Sequence, residues 1–168
     1  MKKKIEVITL NAFTDKDRGG NPAGVVFEAD LLTEAEKRKI ARKVGFSETA
    51  FVSDSKAADF KVDFYTPEEE VDLCGHATIA TFNLMREKEM IKPGKYSQET
   101  KAGILDIFVE KNKVFMEQSL PEFYQKINRA KIADSLGIAV NDLAELPVQI
   151  VSTGLKDILV PLKKASFL

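Results

Sequence analysis

The residues of this 168-residue chain that could do chemistry fall in three short stretches. One of them, residues 46–52, places the single carboxylate of Glu48 in an otherwise apolar or hydroxylated run. Burial disfavours the charged form of a carboxylate, and a carboxyl group poised between its two forms suits general acid/base catalysis. The alternative is a glutamate on an edge strand that faces water, and the run alone leaves both interpretations open.

A second stretch, D-L-C-G-H-A-T at residues 72–78, places Gly75 and His76 at the first turn of a predicted helix. The first amides of a helix have no partner within the helix, and they can hold a substrate carboxylate. His76 is the only histidine of the chain. Its alternative role is that of a capping or core imidazole. In the same stretch, Cys74 is either a thiolate activated by the helix dipole or, as free cysteines more often are, a small buried packing residue.

The third stretch is G-N-P-A-G at residues 20–24, which contains Asn21. A tight turn of this composition lets the backbone approach a ligand closely, but ordinary loops between strands have the same composition. From this stretch alone the ordinary loop is favoured.

Cofactor and metal chemistry is not predicted. One histidine and one cysteine cannot form a structural zinc site, and the chain has no GxGxxG or Walker-type loop and no GxSxG elbow. The near-neutral net charge of −1 gives no reason to expect nucleic acid or a membrane as partner. The single cysteine fits a reducing compartment, and Lys2–Lys4 are followed by a run too polar for a signal peptide, so we expect a cytoplasmic protein.

The elements that must position these stretches are short strands and two helices with clear sequence signals. Thr33 and Glu36 predict a capping box that opens a helix ending at Gly45. The charge-free segment around residues 73–85 is apolar on its whole circumference, which predicts an enclosed helix from Gly75 to about Arg86. A weaker helix is predicted at residues 128–136, and strands are predicted at residues 5–13, 23–27, 49–53, 60–66, 95–101, 103–110, 113–118, 148–152 and 158–162. The predicted class is α+β, with a mostly antiparallel sheet wrapped around a central helix.

The three stretches, in this order and at these intervals, resemble the PhzF-type (phenazine biosynthesis-like) isomerase family, as does V-S-T-G-L-K-D-I-L-V-P-L at residues 151–162. The resemblance implies a diaminopimelate epimerase-like fold of two similar lobes with the active site between them. It implies that Glu48 is the catalytic acid/base and that Gly75 and His76 line the substrate pocket. Asn21 and Asp72 are further substrate-binding candidates. The implied reaction is a cofactor-independent proton shift on a small carboxylic acid.

The chain departs from the family in its C-terminal part. The family's second lobe supplies a D-P-x-T-G-S-like stretch opposite the glutamate, and nothing of that kind occurs here. We therefore expect an N-terminal lobe at residues 1–120 and the start of an incomplete second lobe at 121–168. An incomplete lobe would leave the strands at residues 148–152 and 158–162 with unpaired edges and uncovered apolar faces, which predicts a homodimer built through residues 120–168.

Two hypotheses of different classes remain open, so catalytic activity itself is left undecided. The first is an isomerase or epimerase. The second is a non-catalytic remnant that folds and oligomerises, or binds a small acid without turnover. A third hypothesis makes Cys74 an epimerase base, as in true diaminopimelate epimerases, but those use a pair of thiols and this chain has one cysteine.

Overall fold

The computed structural model describes residues 4–16 and 18–167, so Lys2 and Lys3 of the basic start lie outside the described residues. The chain divides into two compact units, Met1–Glu117 and Gln118–Leu168. Among the helices of the described residues, none combines the length and the apolar character that crossing a membrane requires.

The first unit contains one eight-stranded mixed sheet and two helices. Its strands are β1 (Ile8–Ala12), β2 (Asn21–Val26), β3 (Glu48–Ser53), β4 (Phe60–Tyr65), β5 (Glu70–Val71), β6 (Gly94–Thr100), β7 (Gly103–Val109) and β8 (Val114–Met116). Their order across the sheet is β1-β2-β3-β4-β6-β7-β8, and β5 pairs with β4. The β2–β3 and β4–β6 pairs are parallel and the others are antiparallel. The predicted class, α+β with a mostly antiparallel sheet, is confirmed.

Helix α2 (Gly75–Glu87) runs along the inner face of this sheet and contacts β1, β2, β3, β7 and β8. Phe82 is fully buried and Met85 is 1% exposed, as the uncharged circumference of the segment predicts. Different sides of the helix meet different parts of the sheet. Ala77 and Ala80 pack with the β2–β4 core, whereas Phe82 and Met85 pack with residues of β7. The enclosed helix is therefore confirmed.

Strand β3 illustrates how the two faces of the sheet are used. Ala50 and Val52 belong to the cluster that packs on α2, while Phe51 belongs to a cluster on the opposite face. Successive side chains of a strand alternate between faces, so Glu48 shares the α2-facing side with Ala50 and Val52.

Helix α1 (Glu34–Val44) covers the outer face of β3 and β4. Its capping box is formed as predicted, because Thr33 Oγ1 accepts from the Glu36 amide and the Glu36 carboxylate accepts from the Thr33 amide. Gly45 ends the helix in the left-handed conformation, at φ 74°. One polar contact lies under this helix: Lys37 donates to the buried carboxylate of Asp63 in β4.

The second unit is a three-stranded antiparallel sheet with one helix, α3 (Arg129–Leu136). Its strands are β9 (Glu122–Lys126), β10 (Gln149–Ser152) and β11 (Lys156–Leu159), in the order β11-β10-β9. The sequence predicts unpaired edges at the strands of residues 148–152 and 158–162. For the first strand this is wrong, because β10 is central and pairs with β9 and β11 on its two sides. Among the described residues, β11 pairs with β10 alone. Exposed apolar side chains do lie on the flanking strands, among them Phe123, Ile158 and Leu159.

Candidate active site

Glu48 and His76 face each other at the N-terminal end of α2. Oε2 of Glu48 lies 3.5 Å from Nε2 of His76, and the two side chains are 21% and 11% exposed. A carboxylate and an imidazole at this separation can exchange a proton directly after a small movement, or through a group placed between them.

Local structure explains why the two side chains meet. Glu48 is the first residue of β3, and its position in the strand directs it to the face that packs on α2. His76 is the second residue of α2, so its imidazole lies at the mouth of the enclosed helix. Parallel pairing of Ala23 with Glu48 ties the start of β3 to β2. The tight turn predicted for G-N-P-A-G is wrong for four of its five residues, because residues 21–24 lie within β2 and pair with β1.

Cys74 occupies the N-cap position of α2 and is 6% exposed. Its Sγ lies 3.3 Å from Nδ1 of His76. Burial raises the pKa of the Cys74 thiol to about 12; the neighbouring Glu48 carboxylate acts in the same direction, and the amides of Ala77 and His76 offset part of the effect. The thiol therefore keeps its proton at neutral pH, which favours the packing role over the activated thiolate.

Two buried polar atoms at this site, Oε2 of Glu48 and Nε2 of His76, lack a hydrogen-bond partner among the described residues. Buried polar atoms in native proteins are nearly always paired, and those that are not often mark a functional position. The unpartnered atoms of Glu48 and His76 point to a site that accommodates a polar ligand.

Gly75, the first residue of α2, precedes His76 and lies beside β8. A Cβ atom built at Gly75 would meet only Cε of Met116, at the ordinary contact distance of 3.8 Å. Packing therefore does not require glycine here. Nothing in the sequence connects Met116 with this site, because β8 reaches it only through the folding of the sheet.

The structure does not bring the other two candidates into this cluster. Asn21 is exposed at the start of β2, where it pairs with Ala12. Asp72 is exposed and forms an ion pair with Lys101 at 3.4 Å. Across residues 4–16 and 18–167, neither side chain hydrogen-bonds to Glu48 or His76, so the substrate-binding roles of Asn21 and Asp72 stay predictions.

The same site assembles a set of potential metal donors. One ligand atom each from Glu48, Cys74 and His76 lie within 4.8 Å of one another. The sequence argument against a zinc site considered only the one cysteine and the one histidine. It did not consider Glu48, because Glu48 comes close to them only through the pairing of β3 within the sheet.

Comparison with known proteins identifies the family. Residues 10–168 match the PhzC-PhzF family, described as phenazine biosynthesis-like protein. The uncharacterized isomerase YfhB of Bacillus subtilis is 43% identical over 168 residues, which cover 96% of this chain and 57% of that protein. The chain thus spans little more than half the length of this curated relative.

Solved structures agree with this assignment. The phenazine biosynthesis protein of the PhzF family from Bacillus anthracis is 42% identical, with a TM-score of 0.88, over 97% of this chain and 57% of its own. A hydroxyproline epimerase from Agrobacterium vitis, 13% identical, shares the fold with a TM-score of 0.60 over 93% of this chain and 51% of its own. The predicted diaminopimelate epimerase-like fold is confirmed, and this chain belongs to the PhzC-PhzF family of phenazine biosynthesis-like proteins.

Proposed function

We propose that this chain supplies the acid/base lobe of an isomerase that carries out a cofactor-independent proton shift on a small carboxylic acid. In this proposal residues 1–120 form the family's N-terminal lobe and residues 121–168 begin the second. The observation that carries it is the pair formed by Glu48 and His76, 3.5 Å apart at the N-terminal end of an enclosed helix.

Glu48 is the group that moves the proton. Its carboxylate removes a proton from a carbon next to an unsaturated or carboxylated centre, holds it as the neutral acid, and returns it to another carbon of the same molecule. The proton shift involves no oxidation or reduction of any group.

The N-terminal end of α2 is the proposed binding site for the substrate carboxylate. Among the described residues no side chain forms a regular capping hydrogen bond there. Although the Cys74 thiol lies near two of the first-turn amides, the partial positive charge of the helix remains available to a ligand. The same partial charge stabilises the negative charge that develops when the carbon loses its proton. Gly75 and His76 contact the substrate in this proposal, with Asn21 and Asp72 at the periphery.

The test follows solvent deuterium into candidate unsaturated acids, with the unmodified chain and with Glu48→Gln. Loss of the acid/base is expected to lower the exchange rate on the order of 10²–10⁴-fold. Glu110→Gln is the matched control, because Glu110 is an exposed glutamate just beyond β7. Equal exchange by the unmodified chain and Glu48→Gln would refute the assignment of Glu48.

A second candidate function is a module that binds a small acid without turnover. It is favoured by the buried Nε2 of His76, which has no hydrogen-bond partner among the described residues and could hold an acid without any proton transfer. Saturable binding of an unsaturated acid, weakened by His76→Gln and unaccompanied by exchange, would support this candidate instead.

We also propose that the chain is cytoplasmic and self-associates through residues 120–168. Support for association comes from the exposed side chains of Phe123, Ile158 and Leu159 on the outer strands of the second unit. Sedimentation velocity at micromolar concentration is expected to give a dimer, and Ile158→Lys to shift it towards monomer. A monomer for the unmodified chain would refute the dimer.

A further inference from the structure

The only cysteine and the only histidine of the chain lie side by side. The sequence contains one of each, and Sγ of Cys74 is 3.3 Å from Nδ1 of His76. The Glu48 carboxylate completes a cluster in which one donor atom from each of the three residues lies within 4.8 Å of the others. Thiolate, imidazole and carboxylate are the three side-chain ligands that zinc takes in proteins.

Two of the distances within this cluster fall in the range that a tetrahedral ion requires, and a reorientation of the His76 ring would bring both to one nitrogen. With zinc bonds of roughly 2.0–2.3 Å, ligand atoms of a tetrahedral site lie roughly 3.4–3.6 Å apart. The pair formed by Cys74 and His76 and the pair formed by His76 and Glu48 are 3.3 and 3.5 Å apart. These two contacts use opposite nitrogens of the ring, so binding requires a rotation of the imidazole that directs one nitrogen towards both partners.

We propose that Glu48, Cys74 and His76 together bind a divalent zinc-class cation at the N-terminal end of α2. The ion satisfies two buried atoms that have no hydrogen-bond partner among the described residues, Oε2 of Glu48 and Nε2 of His76. Binding forms a metal–sulfur bond and releases the thiol proton to solvent, because the thiolate is the ligand. Oxidation states do not change.

Three protein ligands leave the fourth position of a tetrahedral ion open. Sites of this kind hold water or a substrate group at that position. A small carboxylate bound at the first turn of α2 is therefore a compatible fourth ligand.

Metal binding has a consequence for catalysis that rests on the proposed function. A carboxylate oxygen bonded to a divalent cation no longer accepts a proton from carbon, so the ion and the proton shift compete for Glu48. Zinc is then an inhibitor of the exchange reaction, and it is displaced when a chelator is added.

The experiment is a Co²⁺ titration of untagged, reduced protein, followed by absorption spectroscopy. Saturation at one ion per chain is expected, with a thiolate-to-cobalt charge-transfer band in the near ultraviolet and the intense visible bands of tetrahedral cobalt. Because Cys74 is the only cysteine, that charge-transfer band reports on this site alone. Added Zn²⁺ is expected to abolish the spectrum by displacing cobalt, since zinc stands above cobalt in the usual affinity order.

Variants of the proposed ligands test whether the Co²⁺ spectrum arises from this site. Cys74→Ser is expected to lose the charge-transfer band, and Glu48→Gln to weaken Co²⁺ binding at least about tenfold, since even the loss of an outer hydrogen-bond partner of a ligand costs roughly 10–100-fold. Glu110→Gln, at an exposed glutamate just beyond β7, is expected to bind as the unmodified chain does. Circular dichroism identifies any variant that has failed to fold.

Absence of the charge-transfer band in the folded, unmodified chain would overturn the proposal, as would Co²⁺ binding that Glu48→Gln leaves unchanged. The readout is independent of turnover. A chain that binds cobalt but exchanges no deuterium when it is metal-free refutes the isomerase proposal and keeps the metal site. Exchange that zinc does not inhibit, in a chain without the cobalt spectrum, refutes the metal site alone.

Discussion

Lys37 of α1 and Asp63 of β4 form an ion pair in which both residues are 8% exposed. The second cation near Asp63 is Lys61, at 3.7 Å, and its side chain is 42% exposed. The pair joins α1 to the outer face of the sheet, on the side opposite to the candidate active site. Removal of Asp63 therefore leaves a buried ammonium group without its partner, whereas removal of Lys37 leaves Asp63 with Lys61 nearby.

Asp63→Leu is expected to destabilise the protein by about 3–5 kcal/mol, because it leaves the Lys37 ammonium buried without its partner. Lys37→Met is expected to cost less, since Lys61 still pairs with Asp63. The double variant is expected to recover most of the loss, as apolar replacements of whole buried pairs often do. Urea unfolding of the four proteins measures these differences, and equal losses in the two single variants would contradict the argument.

Tyr65 provides a pH-dependent prediction. Burial raises the pKa of Tyr65 to about 12, and the charges of Glu70, Glu34 and Asp63 add to the effect. Between pH 10 and about 12 the unfolded chain loses the phenolic proton while the folded chain keeps it, so the contribution of Tyr65 to stability falls as pH rises. Tyr65→Phe is expected to flatten this alkaline decline in the free energy of unfolding. A decline of the same steepness in Tyr65→Phe would assign it to other groups.

Gly75→Ala separates packing from ligand binding. The added methyl group would lie 3.8 Å from Cε of Met116, so the thermal midpoint is expected to change little. A ligand held against the first turn of α2 would meet the same methyl group, so the KM of the exchange reaction is expected to rise roughly tenfold while the fold persists. An unchanged KM would remove Gly75 from the substrate site.

Gly20 and Gly19 form a matched pair in the turn before β2. Both have positive φ, 81° and 65°, but a Cβ at Gly20 would clash with the Ala12 carbonyl oxygen, whereas one at Gly19 would meet no described atom within 4 Å. Gly19→Ala is expected to cost about 1–2 kcal/mol from backbone conformation alone. Gly20→Ala is expected to cost clearly more, because the backbone must also move. Denaturant unfolding compares them, and equal costs would show that the turn relaxes freely.

His76→Gln tests the imidazole. Its polar contacts are the Glu48 carboxylate at 3.5 Å and the Cys74 thiol at 3.3 Å, and Nε2 makes no regular hydrogen bond within the described residues, so stability is expected to fall only modestly. If the imidazole stabilises developing charge, kcat/KM for exchange falls on the order of 10²–10³-fold. Steady-state exchange kinetics with a parallel thermal melt gives both quantities, and a large drop in the thermal midpoint with intact activity would make His76 a structural residue.

Local patterns in the sequence were sufficient for the helices. The capping box of Thr33 and Glu36, the stop at Gly45 and the uncharged circumference of α2 are each properties of neighbouring residues, so they predicted α1 and α2 within a residue or two. The short strands β5 and β9 were missed. Glu70–Val71 is too short for a periodic signal, and all five residues of Glu122–Lys126 are exposed, so no alternation of burial marks that strand.

Residue types in the sequence also identified Glu48 and His76 as candidates. A carboxylate in an apolar run and a histidine at the start of a helix can both be recognised from the neighbouring residues alone. Their distance could not be predicted in that way. It depends on the register of β3 beside β2, on the face of the sheet that packs on α2, and on the position of Cys74 at the N-cap. These are long-range contacts, and only the tertiary structure turns three separate donors into one cluster.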